Sequence, residues 1–237
     1  MVTQLQSPKK SNVIYPDDNG EAMSNNTDQF RLIVWIKENL ELVFADDPNV
    51  FLAGDLLWYP VEGNNKLSQA PDIMAVFGIP KGYRGSYQQW NEDNIAPQVA
   101  FEIWSGDRID LMIKKFQFYE RYGVEEYYFY NPKTLELGGW LRRESEFEAI
   151  EQMDGWVSPR LGVRFQLSET GLEMFGPNQE PFVSFVELDR LRQQAEVRAQ
   201  QAEILLEQSE MLLEQERSRS QALESRLREM GIDPNQL

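Results

Sequence analysis

The chain has 237 residues, of which 41% are apolar and 26% are charged. This length is enough for one medium-sized domain with an appendage, or for two small domains. The mean hydropathy of -0.53 and the lack of any apolar run of about 18 residues predict no membrane-spanning segment. Residues 1–12 contain no apolar stretch typical of a secretory signal, so we expect a cytoplasmic protein.

Cysteine and histidine are both absent from the sequence. Their absence excludes disulfides, thiolate nucleophiles and zinc sites built on cysteine, and it excludes Ser-His-Asp triads and imidazole proton shuttles. Carboxylates, lysines, hydroxyls and hard cations bound by oxygen remain available for catalysis. If the chain is an enzyme, we therefore expect Mg²⁺ or Mn²⁺ held by Asp and Glu side chains.

The charge balance is strongly acidic, with 39 acidic and 23 basic residues and a formal net charge of -16. Proteins that grip nucleic acid by neutralising phosphates usually carry a basic surface. The charge therefore counts against DNA as a partner, although net charge says nothing about the fold.

The first part of the chain begins with polar residues that predict a mobile leader. Asn26 and Gln29 resemble a capping box, and the apolar spacing that follows predicts a first helix ending near Phe44, before Pro48. A second helix is predicted over residues 108–122, with Gly123 in the C-cap position. The turn-rich stretch 78–96 is predicted to be a long functional or disordered loop.

Apolar and aromatic runs between these helices predict strands. They cover residues 50–53, 55–61, 72–77, 98–103, 126–130, 135–142, 147–152 and 163–167. Helices and strands in this order predict an α/β fold with a mixed sheet.

The segment 182–230 contains neither Gly nor Pro, which predicts one long helix. Its apolar residues fall on alternating three- and four-residue steps from Leu188 to Met230, typical of a coiled-coil seam. Polar residues interrupt this seam at Arg192, Ser209, Glu216 and Ser220. The alternative is a solvated helix that only docks on its own domain.

Three charged residues are candidates for a catalytic site. Asp72 begins one predicted strand, and Glu102 lies near the end of another, on a face shared with Ala100 and Trp104. A carboxylate in an apolar strand is costly to bury unless it is paired or binds a cation. Lys115 lies on the apolar side of the second helix, facing the sheet, whereas Lys114 lies on the solvated side. Lys115 could orient a water molecule beside a metal-bound phosphate, or it could simply form a partly buried salt bridge with Glu102.

Several sequence blocks resemble the Uma-two family, a bacterial group of restriction-endonuclease-like proteins. They are Ala-Pro-Asp-Ile-Met-Ala-Val (70–76), Phe-Glu-Ile-Trp-Ser (101–105), Lys-Phe-Gln-Phe-Tyr (115–119), the aromatic run 122–132, and Gly-Trp-Val-Ser-Pro-Arg-Leu-Gly (155–162). The similarity covers residues 28–186.

The resemblance implies a PD-(D/E)xK nuclease core, a mixed β-sheet flanked by helices. Asp72 matches the first acid of that pattern and Glu102 the second. Trp104 stands where a lysine is usual, and Lys115 matches the lysine that family members supply from the next helix. A further departure is Ser105-Gly106-Asp107, where relatives often read Ser-Pro. The predicted organisation is a flexible leader (1–27), a nuclease-like domain (28–186), a coiled-coil helix (187–231) and a short tail (232–237).

Other residues have two interpretations each. Asp55 could be a third acid at the site or a turn residue, and Glu38 and Glu41 could approach a metal or simply solvate the first helix. The aromatic residues 127–130 are interpreted as a core strand rather than a base-stacking platform. The three loop residues that could contact nucleic acid, or only pack on one another, are Arg84, Tyr87 and Trp90.

The predicted function is a metal-dependent endonuclease acting on DNA, with Asp72 and Glu102 as ligands of Mg²⁺ or Mn²⁺ and Lys115 as the third catalytic residue. The alternative is a catalytically weak or inactive nuclease-fold protein that acts as an interaction module through its coiled coil. We expect DNA as the substrate, a homodimer or small homo-oligomer formed by the C-terminal helix, and no membrane partner.

Overall fold

The computed structural model describes residues 13–18, 20, 24, 26–104 and 108–231. Most of the predicted leader, the Ser105-Gly106-Asp107 turn and the predicted tail at 232–237 lie outside these residues. The chain divides into two units, residues 1–183 and residues 184–237.

In the described residues of the first unit there are two α-helices and ten strands. The helices are α1 (Thr27–Val43) and α2 (Ile109–Tyr122). The strands are β1 (Val50–Gly54), β2 (Trp58–Tyr59), β3 (Ile73–Phe77), β4 (Tyr87–Gln88), β5 (Val99–Ile103), β6 (Glu126–Asn131), β7 (Glu136–Arg143), β8 (Glu146–Ala149), β9 (Arg164–Ser168) and β10 (Gly171–Phe175).

Six of the strands form one mixed sheet in the order β1-β3-β5-β6-β7-β8. Strands β5 and β6 are parallel, and all other neighbours in this sheet are antiparallel. A parallel pair needs a long crossover, and α2 is the helix in that crossover. Small two-stranded sheets are formed by β9 with β10 and by β2 with β4. The predicted α/β fold with a mixed sheet is confirmed.

The sheet separates two hydrophobic cores. On one face, buried residues of α1, such as Ile36 and Leu40, pack with Phe165 of β9 and with Phe101 of β5. On the other face, Tyr119 of α2 packs with residues of β2, β4 and β6. Because side chains alternate along a strand, Glu102 lies on the second face, the one covered by α2.

The caps that the sequence predicts at the start of α1 and at the end of α2 are both present. The side chain of Asn26 caps α1 by accepting hydrogen bonds from the backbone N–H groups of Asp28 and Gln29. Gly123 ends α2 with a φ of 100°, a left-handed conformation that glycine adopts without strain.

The loops differ most from the sequence prediction. The strand predicted at 55–61 is reduced to the two residues of β2, and the loop 78–96 contains β4 and a 3₁₀ turn (Gln89–Asn91). Strand β10, which the sequence analysis misses, pairs with β9 as a hairpin. In the segment predicted to be mobile, the ring of Tyr15 packs between Tyr59 and Trp90. Tyr15 belongs to a run of only three apolar residues, 13–15, before Pro16, which is too short to show a period, so this contact is not predictable.

The second unit contains the predicted long helix, α3 (Phe185–Glu229), which has 45 residues and no buried residue. Ser184 and Glu187 form a complete capping box at its start. Within the part of the chain that the structure describes, no helix is both long and apolar enough to cross a membrane.

Candidate active site

The pairing of β3 with β5 brings Asp72 and Glu102 to the same end of the sheet. Ile73 pairs with Phe101 in antiparallel register, so the next position along the ladder places Asp72 opposite Glu102. The main-chain N–H of Ile103 donates a 2.7 Å hydrogen bond to Oδ2 of Asp72. Both carboxylates are buried, with exposed fractions of 5% for Asp72 and 3% for Glu102.

Glu102 accepts hydrogen bonds from two side chains of α2. Nζ of Lys115 lies 2.6 Å from Oε2, and the hydroxyl of Tyr119 donates to Oε1. Lys115 and Tyr119 are four residues apart and therefore lie on the same side of the helix. One turn of α2 thus supplies both partners of this buried carboxylate.

Lys115 faces the sheet, as its place in the apolar pattern of α2 predicts. Its side chain is only 22% exposed, and its ammonium group also donates to the main-chain oxygen of Ala70 at 3.3 Å. The adjacent Lys114 is exposed. Trp104, two positions after Glu102, is half-buried and continues the β5 ladder by donating its main-chain N–H to the main-chain oxygen of Tyr130.

Gln29 is a site residue that the sequence analysis assigned only to helix capping. Its Nε2 donates to Oδ2 of Asp72 at 3.3 Å and to the main-chain oxygen of Ile103 at 2.9 Å. Gln29 therefore connects the start of α1 to the ends of β3 and β5. A glutamine in the first turn of a helix is common in capping boxes, so only its burial, 6% exposed, distinguishes it.

The charges on Asp72, Glu102 and Lys115 shift one another's pKa values. Burial raises the pKa of Glu102 from its ordinary 4.5 to about 7, opposed by the charge on Lys115 and assisted by that on Asp72. Burial also raises the pKa of Asp72, although the charge on Lys115 opposes it. Burial acts to lower the pKa of Lys115, but the charges on Glu102 and Asp72 raise it by more. Lys115 is therefore a protonated cation at neutral pH.

Tyr127 adds a hydroxyl without a partner beside this cluster. Among the described residues, its OH is the one buried side-chain polar atom that has no hydrogen-bond partner. Its charge interactions with Glu102 and Asp72 raise its pKa further, beyond the effect of burial. Its ring centroid lies 5.4 Å from that of Tyr119, the residue that donates to Glu102.

The donor set fits a hard divalent cation. In the described part of the chain, no group of three or more acidic side chains is placed to hold a metal, so the ligand set would be the pair Asp72 and Glu102. Among the described residues, Gln29 and Ile103 both donate to Oδ2 of Asp72, so Oδ1 is the oxygen that would bind a cation, and each oxygen of Glu102 retains a lone pair. Mg²⁺ is commonly bound by one or two carboxylates, with water and substrate phosphate completing its coordination.

The other acidic candidates lie differently. Asp55 occupies a turn with a φ of 49°, and its charge also raises the pKa of Lys115, so it is both a turn residue and a neighbour of the site. Glu38 and Glu41 form ion pairs with Lys37 on the surface of α1, which agrees with a solvating role.

The candidate nucleic-acid contacts are explained by packing. Tyr127, Tyr128 and Tyr130 are buried core residues of β6. In the loop 78–96, Tyr87 is fully buried, and Arg84 forms a 2.6 Å ion pair with Glu92. The hypothesis that Tyr87 reaches nucleic acid is therefore wrong, because its ring belongs to the core.

Comparison with known proteins identifies the family to which the chain belongs. Residues 3–174 match the model of the Uma2 family, described as "Putative restriction endonuclease". This match spans more than half of the chain, so the protein belongs to the Uma2 family. A solved structure from Anabaena variabilis, described as "a putative nuclease belonging to DUF820", is 14% identical with a TM-score of 0.42, and the match covers 56% of this chain and 72% of that chain. No curated protein matches the chain.

Proposed function

We propose that this protein is a metal-dependent endonuclease that hydrolyses phosphodiester bonds of DNA at the site formed by Asp72, Glu102 and Lys115. The observation that carries the proposal is the ion pair between Lys115 of α2 and the buried Glu102 of β5, at 2.6 Å. The family description as a restriction endonuclease supports the same reaction class.

Burying Asp72, Glu102 and Lys115 together is energetically costly, which indicates that these residues serve a function. Two carboxylates and an ammonium group are held where their hydration is largely lost, and such a buried network is seldom the most stable solution for a protein core. The raised pKa of Glu102, about 7, shows that burial and the neighbouring Asp72 already disfavour its charged form. A divalent cation would relieve this repulsion. Strongly shifted groups of this kind are concentrated at catalytic sites.

Each residue has a role that follows from its position. Asp72 and Glu102 would hold Mg²⁺ or Mn²⁺. When bound, such an ion withdraws charge from a phosphoryl oxygen and lowers the pKa of a bound water. Lys115 is protonated, so it would donate hydrogen bonds to a phosphate oxygen and stabilise developing negative charge rather than remove a proton. Tyr119 and Gln29 would orient the two carboxylates through their hydrogen bonds.

A second candidate function is a non-enzymatic interaction module. The net charge of -16 and the 45-residue helix without a buried residue favour it, because acidity weakens binding to phosphates and the exposed leucines of this helix are suited to a partner. A cleavage assay separates the two candidates.

The test is an assay of supercoiled plasmid and single-stranded DNA with Mg²⁺, with Mn²⁺ and with EDTA. The wild-type protein should cut with either metal and not with EDTA, and Asp72→Asn should abolish cutting. Glu38→Gln is the matched control, since it also removes one negative charge but lies exposed on α1. Wild-type cleavage by Asp72→Asn would refute the assignment, and no cleavage by the wild-type protein would favour the interaction module.

A further inference from the structure

We propose that α3 pairs with the α3 of a second copy of this chain as a parallel, in-register coiled coil. This inference is independent of the nuclease activity. It rests on the apolar seam of a helix that has no buried residue and on the charges that flank this seam.

The seam offers more apolar surface than a solvated helix would expose. Its large residues lie on the three- and four-residue steps of the seam, and five of them, Leu188, Leu206, Leu213, Leu223 and Met230, are 40% to 66% exposed. The sixth, Leu227, is partly buried. At about 1.5 Å per residue the helix is roughly 68 Å long, and a second copy provides a matching stripe along its full length.

The charges beside the seam are complementary between two parallel copies. In that arrangement, a residue on one flank faces the residue five positions later on the opposite flank of the partner helix. Arg198 of one copy then faces Glu203 of the other, and Arg219 faces Glu224. By symmetry each pair occurs twice, and no other pair of facing flank positions carries like charges. Within the seam, Arg192 and Glu216 each face the same residue of the second copy, which weakens the pairing.

An antiparallel arrangement loses this complementarity. Each flank would then face the same flank of the partner helix, and one flank is almost entirely acidic. Its acidic members are Asp189, Glu196, Glu203, Glu210 and Glu224. Facing like charges disfavour a pairing, so the flanks select the parallel orientation.

The acid within the seam is already partly compensated. Glu216 lies 3.7 Å from the guanidinium group of Arg219 in its own helix, the same arginine that faces Glu224 of the second copy. The seam also contains three alanines in its first half, at 195, 199 and 202, which bury less area than leucines do. We therefore expect association that is complete at tens of micromolar and reversible on dilution.

The relative direction of the two α3 helices determines at which end of the coiled coil each copy of residues 1–183 is attached. Residues 1–183 of each copy are covalently joined to the start of α3. A parallel coiled coil therefore attaches both copies of that unit to the same end, whereas an antiparallel one would attach them to opposite ends.

Cysteine cross-linking tests the relative direction of the two α3 helices without competing thiols, because the natural chain contains no cysteine. Leu188→Cys and Leu227→Cys mark the two ends of the seam in the full-length protein. In the parallel arrangement each variant alone should form a disulfide-linked dimer under mild oxidation. If neither variant links alone but a mixture of the two does, the helices are antiparallel and the proposal fails.

Light scattering on the full chain tests the seam itself. The wild-type protein should have twice the monomer mass at tens of micromolar, and the double variant Leu206→Lys with Leu213→Lys should be monomeric. The matched control, Ile204→Lys with Met211→Lys, adds the same charge two residues away, on the opposite side of the helix, and should remain dimeric. A monomeric wild-type protein, or equal loss in both double variants, would overturn the proposal.

Discussion

The ammonium group of Lys115 lies 2.6 Å from Oε2 of Glu102, although the two residues are 13 positions apart and belong to a helix and to a strand. The crossover from β5 through α2 creates this contact, since it returns the helix over the face of the sheet that bears Glu102. A lysine from the following helix therefore reaches a strand that has Trp104, and no lysine, two positions after Glu102.

The first prediction concerns the stability of the metal-free protein as a function of pH. The pKa of Glu102 is about 7 in the folded protein and 4.5 ordinarily, so between these values the folded state holds a proton that the unfolded state has lost. The stabilisation is complete below pH 4.5 and is lost as the pH rises through 7, an effect on the order of 3 kcal/mol. Urea unfolding in EDTA should show stability falling from pH 5 to pH 8.

The variant Glu102→Gln should flatten this dependence. The contribution of Asp72, whose pKa burial also raises, should remain in that variant. Glu38→Gln, which changes an exposed residue, should keep the wild-type slope. An unchanged slope in Glu102→Gln would show that another group causes the pH dependence.

The second prediction concerns Tyr119, which is fully buried and donates to Oε1 of Glu102. Its hydrogen bond acts to lower the pKa of Glu102, so Tyr119→Phe should move the stability transition described above to higher pH. The free energy of unfolding should fall by about 1.5–3 kcal/mol at pH 8, where the carboxylate is charged. Tyr122→Phe, one helical turn away, is the control, and an equal loss at pH 5 and pH 8 would contradict the proposed hydrogen-bond effect.

The third prediction concerns Gln29, whose amide bridges Asp72 and the main chain of Ile103. Gln29→Ala leaves two buried acceptors without that donor, so the free energy of unfolding should fall by about 1–3 kcal/mol. DNA cleavage should weaken as well, because Asp72 loses one of the groups that fix its orientation. Arg31→Ala, an exposed change on the same helix, should have little effect on either measurement.

Regular periodicity made much of this fold predictable. The helix from residue 108 to 122 and its C-cap at Gly123 follow from local sequence, and the phase of its apolar residues places Lys115 toward the sheet. The alternation along residues 98–103 likewise places Glu102 on the opposite face from Phe101. These features depend on residues that are close in sequence, for which spacing alone determines the direction in which each side chain points.

Features that depend on long-range contacts were not predictable. Gln29 lies 43 positions from Asp72, and nothing in the sequence near either residue indicates that they meet. The packing of Tyr15 on Tyr59 and Trp90 likewise joins residues that are far apart in sequence. Trp58 and Tyr59 form only a two-residue strand, because their partner, Tyr87–Gln88, is equally short and comes from a distant loop.

The most direct test of the catalytic site compares Lys115→Ala with Lys114→Ala in metal-dependent cleavage of plasmid DNA. The two lysines are adjacent in sequence, but only Lys115 contacts Glu102. We expect Lys115→Ala to lose at least about 100-fold in rate, as when a group that stabilises transition-state charge is removed. Lys114→Ala should stay within about twofold of the wild type, since it alters an exposed residue. Equal rates for the two variants, with both folded by circular dichroism, would contradict the assignment of Lys115 to the catalytic site.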